Sequence, residues 1–413
     1  MQEVVAKLNN LVAKLKQENQ QDCLFFSDEI LFDCGDMLND LPKFIASKIP
    51  NGKIAVLYKK DTYSLYGVNF TKAIQCLSRE TLNIIIPDTQ VDIYDVNSLK
   101  NVFSLADDVR IILTFDPSLV MAVNYFATIR NIPSLYFING FSLNNVLSPF
   151  VTIKNQNNKD NFAITCDRFI YINNQIDNYK TLSLGYANVL SNLVTLLDYR
   201  IYKITSSEVS VTAYSLARQA IYAVYDCMQG DTTSQLKVIL ENVLKVELAN
   251  YISGGLLYKT SSSQNCLQFF ADDEKASSKY AFLCALKILH IYTLVFSQCY
   301  DDILTYPDYL QRAEQIAEII NCDKSLILKN LLEQSKKIQK NSKELQSLMQ
   351  KLSVEVEALL KCLPVINNTY IALGGDCKID NQIMRYAIKY ASGLTDCVNG
   401  LSIALNKGFL ELI

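Results

Sequence analysis

The feature that most constrains the fold is a strand, turn and helix pattern over residues 110–125. Residues 111–113 read Ile-Ile-Leu, a fully apolar run typical of a strand that is buried on both faces. The turn at residues 115–118 reads Phe-Asp-Pro-Ser, and the apolar spacing of a helix follows it. Nucleotide-binding α/β proteins place such a unit under a pyrophosphate. The pattern therefore predicts an α/β fold with a ligand position beside this turn.

The turn itself lacks the glycines that a phosphate-binding loop needs. Glycine lets backbone N–H groups approach the phosphates, whereas Phe115 is bulky and Pro117 has no N–H group. The Asp116 carboxylate would repel a pyrophosphate. We predict that Asp116 caps the helix beginning near Pro117, with proline at the first helical position, although a catalytic acid is the alternative. The chain thus keeps the strand, turn and helix pattern of a dinucleotide site but lacks the glycine-rich loop that binds the phosphates.

Buried strands alternate with helices over residues 1–176, which we predict to form a Rossmann-like domain. Such alternation is typical of a doubly wound parallel sheet. After an N-terminal amphipathic helix, the predicted strands are residues 23–26, 30–32, 53–58, 82–86, 108–113 and 133–138. The predicted helices are residues 36–49, a helix ending near residue 80, and residues 118–130.

Residues 177–413 show a different sequence pattern, which predicts an all-α domain. Few strand signals remain, and helical periodicity recurs in residues 183–203, 208–228, 234–252, 277–299, 307–320, 324–361 and 380–405. The longest apolar stretch, residues 280–296, is interrupted by Lys287 and His290. It is short for a membrane span, so we expect a core helix and no membrane-spanning segment.

Composition narrows the function classes. The chain has 413 residues and a net charge of −3, with its lysines dispersed, so no nucleic-acid surface is expected. Its 12 cysteines include no C-x-x-C pair and indicate reduced thiols of a cytoplasmic protein. The N-terminus lacks the apolar core of a secretory signal.

A single histidine limits the metal chemistry of the chain. His290 lies between Leu289 and Ile291 in an apolar segment, which favours a core or subunit-interface residue over a lone metal ligand. A site that needs two imidazoles is therefore excluded within one subunit.

Motifs in four regions share an order and spacing with one superfamily of dehydrogenases. These stretches are Asp61-Thr62-Tyr63 with Gly67, residues 132–133 with 141–149, residues 185–190 with Asp198-Tyr199-Arg200, and residues 387–401 with 408–410. They resemble the motifs D-x-N-T-Y…G, P-T…S-x-D-G-x-x-S and G-x-G-D-x-x…D-W, and the family's last helix. The superfamily comprises glycerol-1-phosphate dehydrogenase, glycerol dehydrogenase, iron-containing alcohol dehydrogenases and dehydroquinate synthase. Glycerol-1-phosphate dehydrogenase is the branch that the chain resembles most.

This resemblance implies an NAD(P) site and a divalent metal site. The dinucleotide positions fall on Phe115, Asp116, Pro117, Ser118, Ser142 and Asn144, with Met121 and Asn124 on the helix behind the turn. The three metal-ligand positions fall on Asn188, Phe269 and Ser278, and the preceding glutamate position on Gln268. Because an amide, a phenyl ring and a hydroxyl replace anionic and imidazole ligands, we expect neither metal nor cofactor, and we assign no catalytic residue.

Three hypotheses follow from the differences between these positions and the residues of the family. The first is a non-catalytic homologue with a structural or regulatory role, whose partner is itself or an active paralogue; the resemblance implies a homo-oligomer. The second is a diverged NAD(P)-dependent polyol or polyol-phosphate dehydrogenase that binds a dinucleotide beneath residues 114–118. The third is a small-molecule sensor with a polar pocket around Asn139, Ser142, Asn144 and Asn188.

Overall fold

The computed structural model describes residues 1–18, 29–86, 108–141, 143, 146–155, 158–176, 181–226, 232–270, 277–297 and 307–412. They divide into two compact units, one holding residues 1–18 and 29–176 and the other residues 181–412. The predicted boundary between residues 176 and 177 adjoins residues 177–180, which lie outside the described part, and it stays a prediction. The predicted strand at residues 23–26 also lies outside it.

The first unit is built on a six-stranded parallel sheet, which confirms the predicted α/β class. The strands are β1 (Ile30–Gly35), β2 (Lys53–Lys59), β3 (Thr81–Ile86), β4 (Val109–Thr114), β5 (Ser134–Ile138) and β8 (Arg168–Asn173). Their order across the sheet is β1-β8-β5-β4-β2-β3. A separate antiparallel hairpin consists of β6 (Phe150–Asn155) and β7 (Asn158–Ala163).

Helices cover both faces of this sheet, as a doubly wound fold requires. In the first unit they are Gln2–Glu18, Asp40–Lys48, Lys60–Thr62 continuing through a π-helical turn at Tyr63–Gly67 into Val68–Gln75, and the 3₁₀ turn Pro117–Leu119 leading into Val120–Arg130. Alternate residues of β2 point to opposite cores. Val56 packs with Phe44 and Phe70 on one face, whereas Leu57 packs with Val123 on the other. The central strands are therefore buried on both sides.

Several parts of this unit differ from the sequence prediction: the hairpin of β6 and β7 was not predicted, and the helix predicted to end near residue 80 ends at Gln75. The helix predicted over residues 36–49 begins only at Asp40, because the Asp36 carboxylate accepts the backbone N–H groups of Leu38 and Asn39 and holds a turn there. Strand β8 was not predicted, although it is inserted between β1 and β5 and is nearly all buried. Its position depends on long-range pairing, which local apolar spacing does not report.

The second unit contains helices and no strand among its described residues, in agreement with the predicted all-α region. The helices are Leu182–Leu190, Asn192–Thr205, Val211–Asp226, Thr232–Ile252, Leu256–Thr260, Ser262–Asn265, Cys266–Phe269 (3₁₀), Ser277–Ser297, Tyr309–Ile320, Lys324–Lys340, Ser342–Ala372, Asn381–Tyr390, Ala391–Leu394 (3₁₀), Gly400–Asn406 and Phe409–Leu412 (3₁₀). The segment predicted as one helix over residues 324–361 breaks at Asn341, whose side-chain amide donates to the Lys337 carbonyl. The following helix extends to Ala372.

Helix Ser277–Ser297 is the one described helix whose length and apolar composition would suffice to cross a membrane. Of its apolar window, 56% is buried inside the chain, and Phe282, Ile288 and Phe296 have no exposed surface. Those buried side chains agree with the predicted core helix. His290, by contrast, lies on the exposed side, so its prediction as a core residue was wrong for the single chain. Its alternative as a subunit-interface residue stays a prediction.

Candidate functional site

The turn after β4 is held by hydrogen bonds within the chain. Thr114 is buried and its hydroxyl donates to the Leu57 carbonyl at 2.9 Å, which ties the end of β4 to β2. The same hydroxyl oxygen accepts the backbone N–H of Asp116 at 3.0 Å. The backbone N–H of Leu119 donates to the Asp116 carbonyl at 3.1 Å. Two N–H groups near the helix start are thus already bonded within the turn.

Asp116 occupies the place that an anion takes at the start of such a helix. Its Oδ1 accepts the backbone N–H of Ser118 at 3.0 Å and the Ser118 hydroxyl at 2.7 Å. Its Oδ2 accepts the Thr62 hydroxyl at 2.9 Å. Pro117 stands at the first helical position, so the predicted cap is confirmed. The carboxylate therefore satisfies one backbone donor at the start of this helix and the hydroxyls of Ser118 and Thr62.

Phe115 points into the core of the first unit and is only 5% exposed. Its ring lies parallel to Tyr58 at 5.8 Å between centroids and stacks on Tyr66 at 5.5 Å. It meets Phe70 edge-on at 5.0 Å and Phe137 at 5.3 Å. Each such pair stabilises beyond the area it buries. Phe115 thus fills the space beneath the turn with aromatic packing.

The π-helical turn at Tyr63–Gly67 positions the side chains that face the β4 turn. Such turns are rare and often mark functional segments. Thr62, just before it, donates to Asp116, and the Tyr63 ring meets Tyr58 edge-on at 5.4 Å. Gly67 is buried directly against the Tyr63 ring, since a Cβ there would lie 2.2 Å from that ring. The stretch that resembles D-x-N-T-Y…G therefore packs against the turn after β4.

A chain of polar side chains follows along the same carboxyl edge of the sheet. The Asn173 amide donates to the Asn139 carbonyl oxygen at 2.7 Å, and the Asn139 amide donates to the Tyr66 hydroxyl at 2.8 Å. Asn173 is the last residue of β8 and Asn139 comes directly after β5, so this contact joins two neighbouring strand ends. Ser142 and Asn144, predicted to lie nearby, fall outside the described residues.

Two described buried phenols near the turn, Tyr136 and Tyr58, are not suited to acid–base chemistry at neutral pH. Burial raises the pKa of Tyr136 far above its usual value, and the Asp116 carboxylate raises it further. Burial likewise raises the pKa of Tyr58, with a smaller contribution from Tyr63. Both phenols therefore stay protonated. Asp116, the alternative catalytic acid, has both carboxylate oxygens engaged in the cap and the Thr62 contact.

Asn124 does not lie beside the turn. Its Oδ1 accepts the Ser134 hydroxyl at 2.8 Å, and Ser134 is the first residue of β5, at the amino end of that strand. The Cys166 thiol contacts the Asn124 carbonyl oxygen at 3.7 Å in the same buried cluster. Asn124 thus has a packing role in the core behind the sheet. Met121, one turn earlier, packs against that same core.

The three positions implied as metal ligands lie in three elements of the second unit. Asn188 is on helix Leu182–Leu190, Phe269 is the last residue of Cys266–Phe269, and Ser278 is the second residue of helix Ser277–Ser297. Asn188 and Ser278 are buried, and Phe269 is half-buried. A neutral amide, a phenyl ring and a hydroxyl do not match the donors that zinc, iron or nickel requires. Among the described residues, no three His, Cys, Asp or Glu side chains come together as a metal-binding group.

Sequence reasoning missed a buried carboxylate network around Asp198. Asp198 has no exposed surface and accepts the Tyr292 hydroxyl at 2.5 Å, the Ser262 backbone N–H at 2.7 Å and the Gly400 backbone N–H at 2.9 Å. Burial raises its pKa to about 6, an effect that outweighs the opposing influence of these donors. The D-Y-R stretch drew attention to Asp198, but its partners are 64 to 202 residues away along the chain.

Comparison with known proteins agrees on the fold. No family model matches the chain, and no curated protein sequence matches it significantly. Solved structures do match. Sulfoacetaldehyde reductase from Bifidobacterium kashiwanohense, solved with NAD+, superposes with a TM-score of 0.56 at 9% identity, covering 94% of this chain and 97% of that one. Iron-containing alcohol dehydrogenase from Corynebacterium glutamicum gives a TM-score of 0.54 at 9% identity, covering 95% of this chain and 97% of that one.

Glycerol dehydrogenase from Schizosaccharomyces pombe gives a TM-score of 0.51 at 14% identity and covers 82% of this chain and 94% of that one. The chain therefore has the fold of iron-containing alcohol dehydrogenases and glycerol dehydrogenases, as the resemblance in sequence predicted. At such low identity the likeness concerns the fold alone.

Proposed function

We propose that this chain is a non-catalytic homologue of NAD(P)-dependent polyol dehydrogenases, with a structural or regulatory role. The observation that carries the proposal is the turn after β4, where the Asp116 carboxylate accepts hydrogen bonds from Ser118 and Thr62 at the start of the helix. A dinucleotide would have to displace a carboxylate from its own donors while facing its negative charge. That arrangement disfavours binding both by competition and by repulsion.

The second unit supports the same proposal. Asn188, Phe269 and Ser278 supply no anionic or imidazole donor, and the only histidine, His290, lies on a different part of helix Ser277–Ser297. A fold can keep its packing after its ligand positions change to neutral side chains, because neutral groups need no metal to balance them. We further propose that the chain acts in the cytoplasm, where the free thiols of its described cysteines stay reduced.

The alternative of a diverged NAD(P)-dependent dehydrogenase requires space for a nicotinamide beneath residues 114–118. Phe115 is 5% exposed and Phe141 is fully buried, which counts against that space. The sensor alternative draws on the polar chain of Asn173, Asn139 and Tyr66, whose side chains are half-exposed at the carboxyl edge. Open α/β sheets bind ligands at this edge, so a polar small molecule is the second candidate for the site.

The test is thermal unfolding of the purified chain with NADH, NADPH, zinc and nickel added separately. A ligand that binds only the folded state at one hundred times its dissociation constant stabilises by about 2.7 kcal/mol, a readily measured shift. We expect no shift with any of the four, and no hydride transfer to or from polyols. A dinucleotide-dependent shift together with turnover would overturn the proposal.

A charge variant locates any dinucleotide that does bind. Ser118→Asp adds a second carboxylate to the turn, so it would abolish a shift caused by binding there. Ser347→Asp, an exposed position on helix Ser342–Ala372, is the matched control. If Ser118→Asp abolished the dinucleotide-dependent thermal shift and Ser347→Asp did not, the dinucleotide would bind at the turn. That result would contradict our account of Asp116.

Partnership with another copy or with an active paralogue is the form that the structural role would take. Light scattering on the purified chain, alone and mixed with an active homologue from the same organism, tests it. We expect a defined homo- or hetero-oligomer. A monodisperse monomer in both conditions would rule out this form of the role.

A further inference from the structure

The two edges of the parallel sheet are protected to different degrees. The order of strands is β1-β8-β5-β4-β2-β3, so β1 and β3 each have one side without a neighbouring strand in this sheet. Such an edge presents a row of backbone N–H and C=O groups that can pair with another chain, and proteins usually block it. Within the described part of the chain, β1 is blocked and β3 is open.

At β1 the outward-facing backbone groups are bonded within the chain. The parallel register with β8 leaves the backbones of Phe32 and Cys34 facing away from the sheet. The Asn9 side-chain amide donates to the Phe32 carbonyl at 2.8 Å and accepts the Phe32 N–H at 2.9 Å, as a neighbouring strand would. The Asp33 carboxylate accepts the Cys34 N–H at 2.7 Å. Helix Gln2–Glu18, which carries Asn9, thus blocks the middle of this edge.

At β3 the corresponding groups lack such partners. The Ile54 N–H donates to the Glu80 carbonyl at 3.1 Å, which sets the phase of the ladder between β2 and β3. Because ladder bonds alternate along a strand, the backbones of Thr81, Asn83 and Ile85 face away from β2. Among the described residues, none bonds to these outward backbone groups. The outer side of β3 is therefore an open edge.

The composition of β3 favours pairing at this edge. The strand reads Thr-Leu-Asn-Ile-Ile-Ile, with no charged side chain and no proline, and its register with β2 contains no bulge. Charges, proline and bulges are the devices that keep exposed edges apart. Ile85 leaves 50% of its surface in water. Strand β3 thus combines an open edge with the side chains that fit a paired strand.

The outward register of β3 is complementary to itself. When a second copy runs antiparallel beside β3 with Asn83 opposite its own equivalent, Thr81 of each copy lies opposite Ile85 of the other. Each outward N–H of one strand then meets an outward C=O of the other, because outward residues alternate in both. No like charges meet, since the strand carries none. A second copy therefore satisfies backbone groups that the single chain leaves to water.

The strand is held in place by its own unit before any pairing. Leu82 and Ile84 pack on one face, against the core that contains Val123. On the other face the Asn83 amide donates to the Thr71 hydroxyl at 2.9 Å. A partner strand would therefore meet an ordered edge, which reduces the entropy lost on association.

We propose that β3 is a homodimer interface, at which two copies join their six-stranded sheets into one continuous sheet about a two-fold axis at Asn83. Such an interface uses the same surface on both copies, so it closes on itself and yields a dimer rather than a filament. The interface supplies a surface for the homo-oligomer of the proposed structural role. It does not depend on the account of Asp116, because its residues lie on another strand.

Size-exclusion chromatography with light scattering, over a range of concentrations of the full chain, measures the dimer. We expect a monomer–dimer equilibrium in the wild type. Ile85→Lys puts a charge at the open edge, and we expect the dimer dissociation constant to rise by roughly tenfold or more, because pairing would take that charge out of water. Ile129→Lys, on helix Val120–Arg130 of the same unit and 47% exposed, is the matched control and should leave the dimer unchanged.

Asn83→Pro tests the backbone pairing directly. Proline removes the outward N–H at the axis, whereas the ladder to β2 does not use that N–H. We expect this variant to be monomeric, and thermal unfolding checks that each variant keeps its fold. If the proline variant does not fold, Ile85→Lys and its control decide the outcome.

Hydrogen exchange of residues 81–86 gives a second readout, since deuterium uptake should fall as the wild-type concentration rises but not in Ile85→Lys. A wild type that stays monomeric at every concentration would overturn the proposal. A dimer that both edge variants leave unchanged would also overturn it, because the copies would then pair elsewhere. Neither result bears on Asp116, which the dinucleotide-dependent thermal shift tests separately.

Discussion

Two aspartates with unlike surroundings decide much of the local structure. Asp116 is half-exposed, and it holds one turn to the start of a neighbouring helix through Thr62. Asp198 is fully buried and joins three segments of the second unit through Ser262, Tyr292 and Gly400. A hydrogen-bonded carboxylate at a surface cap costs little, whereas a buried one is tolerated only because its donors replace water. The two residues therefore respond differently to substitution and to pH.

Asp198 should make stability depend on pH in a defined window. Its pKa in the folded chain, about 6, lies above the ordinary value of 3.8, so the folded state holds this proton more tightly than the unfolded state. The stabilising contribution of the protonated group is complete below pH 4 and is lost as pH rises through 6. The difference of about two pKa units corresponds to roughly 3 kcal/mol.

Urea unfolding of the wild type and Asp198→Asn between pH 4 and 7 measures this effect. We expect Asp198→Asn to be destabilising at every pH, because its NH₂ group faces donors, and its deficit to shrink as pH rises. Asp380→Asn, an exposed helix cap, controls for general loss of a carboxylate. A deficit that stays constant or grows towards pH 7 would contradict the raised pKa.

At the scale of elements, the helix after β2 departs from regular geometry where it meets the β4 turn. The π-helical turn at Tyr63–Gly67 leaves Tyr66 stacked on Phe115 and Thr62 bonded to Asp116. Gly67 has ordinary helical angles, so its role here is to leave room for the Tyr63 ring. Close packing, rather than backbone freedom, explains this glycine.

Gly67→Ala is therefore expected to destabilise the chain by about 1 to 3 kcal/mol, the usual cost of overpacking. In an uncrowded helix position the same change stabilises by about 1 kcal/mol, so the sign separates the two explanations. Chemical unfolding followed by circular dichroism measures it. Asn69→Ala, two residues on at an exposed position, should be neutral or stabilising. A stabilising Gly67→Ala would show that Tyr63 moves aside at no cost.

At the scale of the whole molecule, each unit contains the contacts that define its own core. In the second unit, Gln334 donates to the carbonyls of Ser392, Thr395 and Cys397, and Asn399 donates to the Thr260 carbonyl. These bonds tie distant helices together within residues 181–412. We infer that the predicted domain of residues 177–413 folds without the first unit.

Expression of residues 177–413 alone tests this inference. We expect a helical fragment with a cooperative unfolding transition, since the Asp198 network lies entirely within it. A shorter fragment, residues 207–413, lacks helix Asn192–Thr205 and with it Asp198, and should not unfold cooperatively. If the longer fragment also lacked a cooperative transition, the proposed domain boundary would be wrong.

The sequence by itself determined the class of fold and the ends of its strongest elements. Apolar runs such as residues 111–113 and helical spacing over residues 118–130 are local signals, because buried strands and amphipathic helices require those side chains at those intervals. The cap at Asp116 was also predictable, since the carboxylate and its donor Ser118 are two residues apart. The single histidine excluded a two-imidazole site without any structure.

Only the tertiary structure decided how distant residues meet. The insertion of β8 beside β5, the Thr62 contact to Asp116, and the donors around Asp198 all join residues far apart in the chain. No local pattern records such pairs, because their energy depends on burial and on geometry that arise after the elements pack. The exposed position of His290 belongs to the same class. Apolar neighbours in sequence do not tell which side of a helix faces solvent.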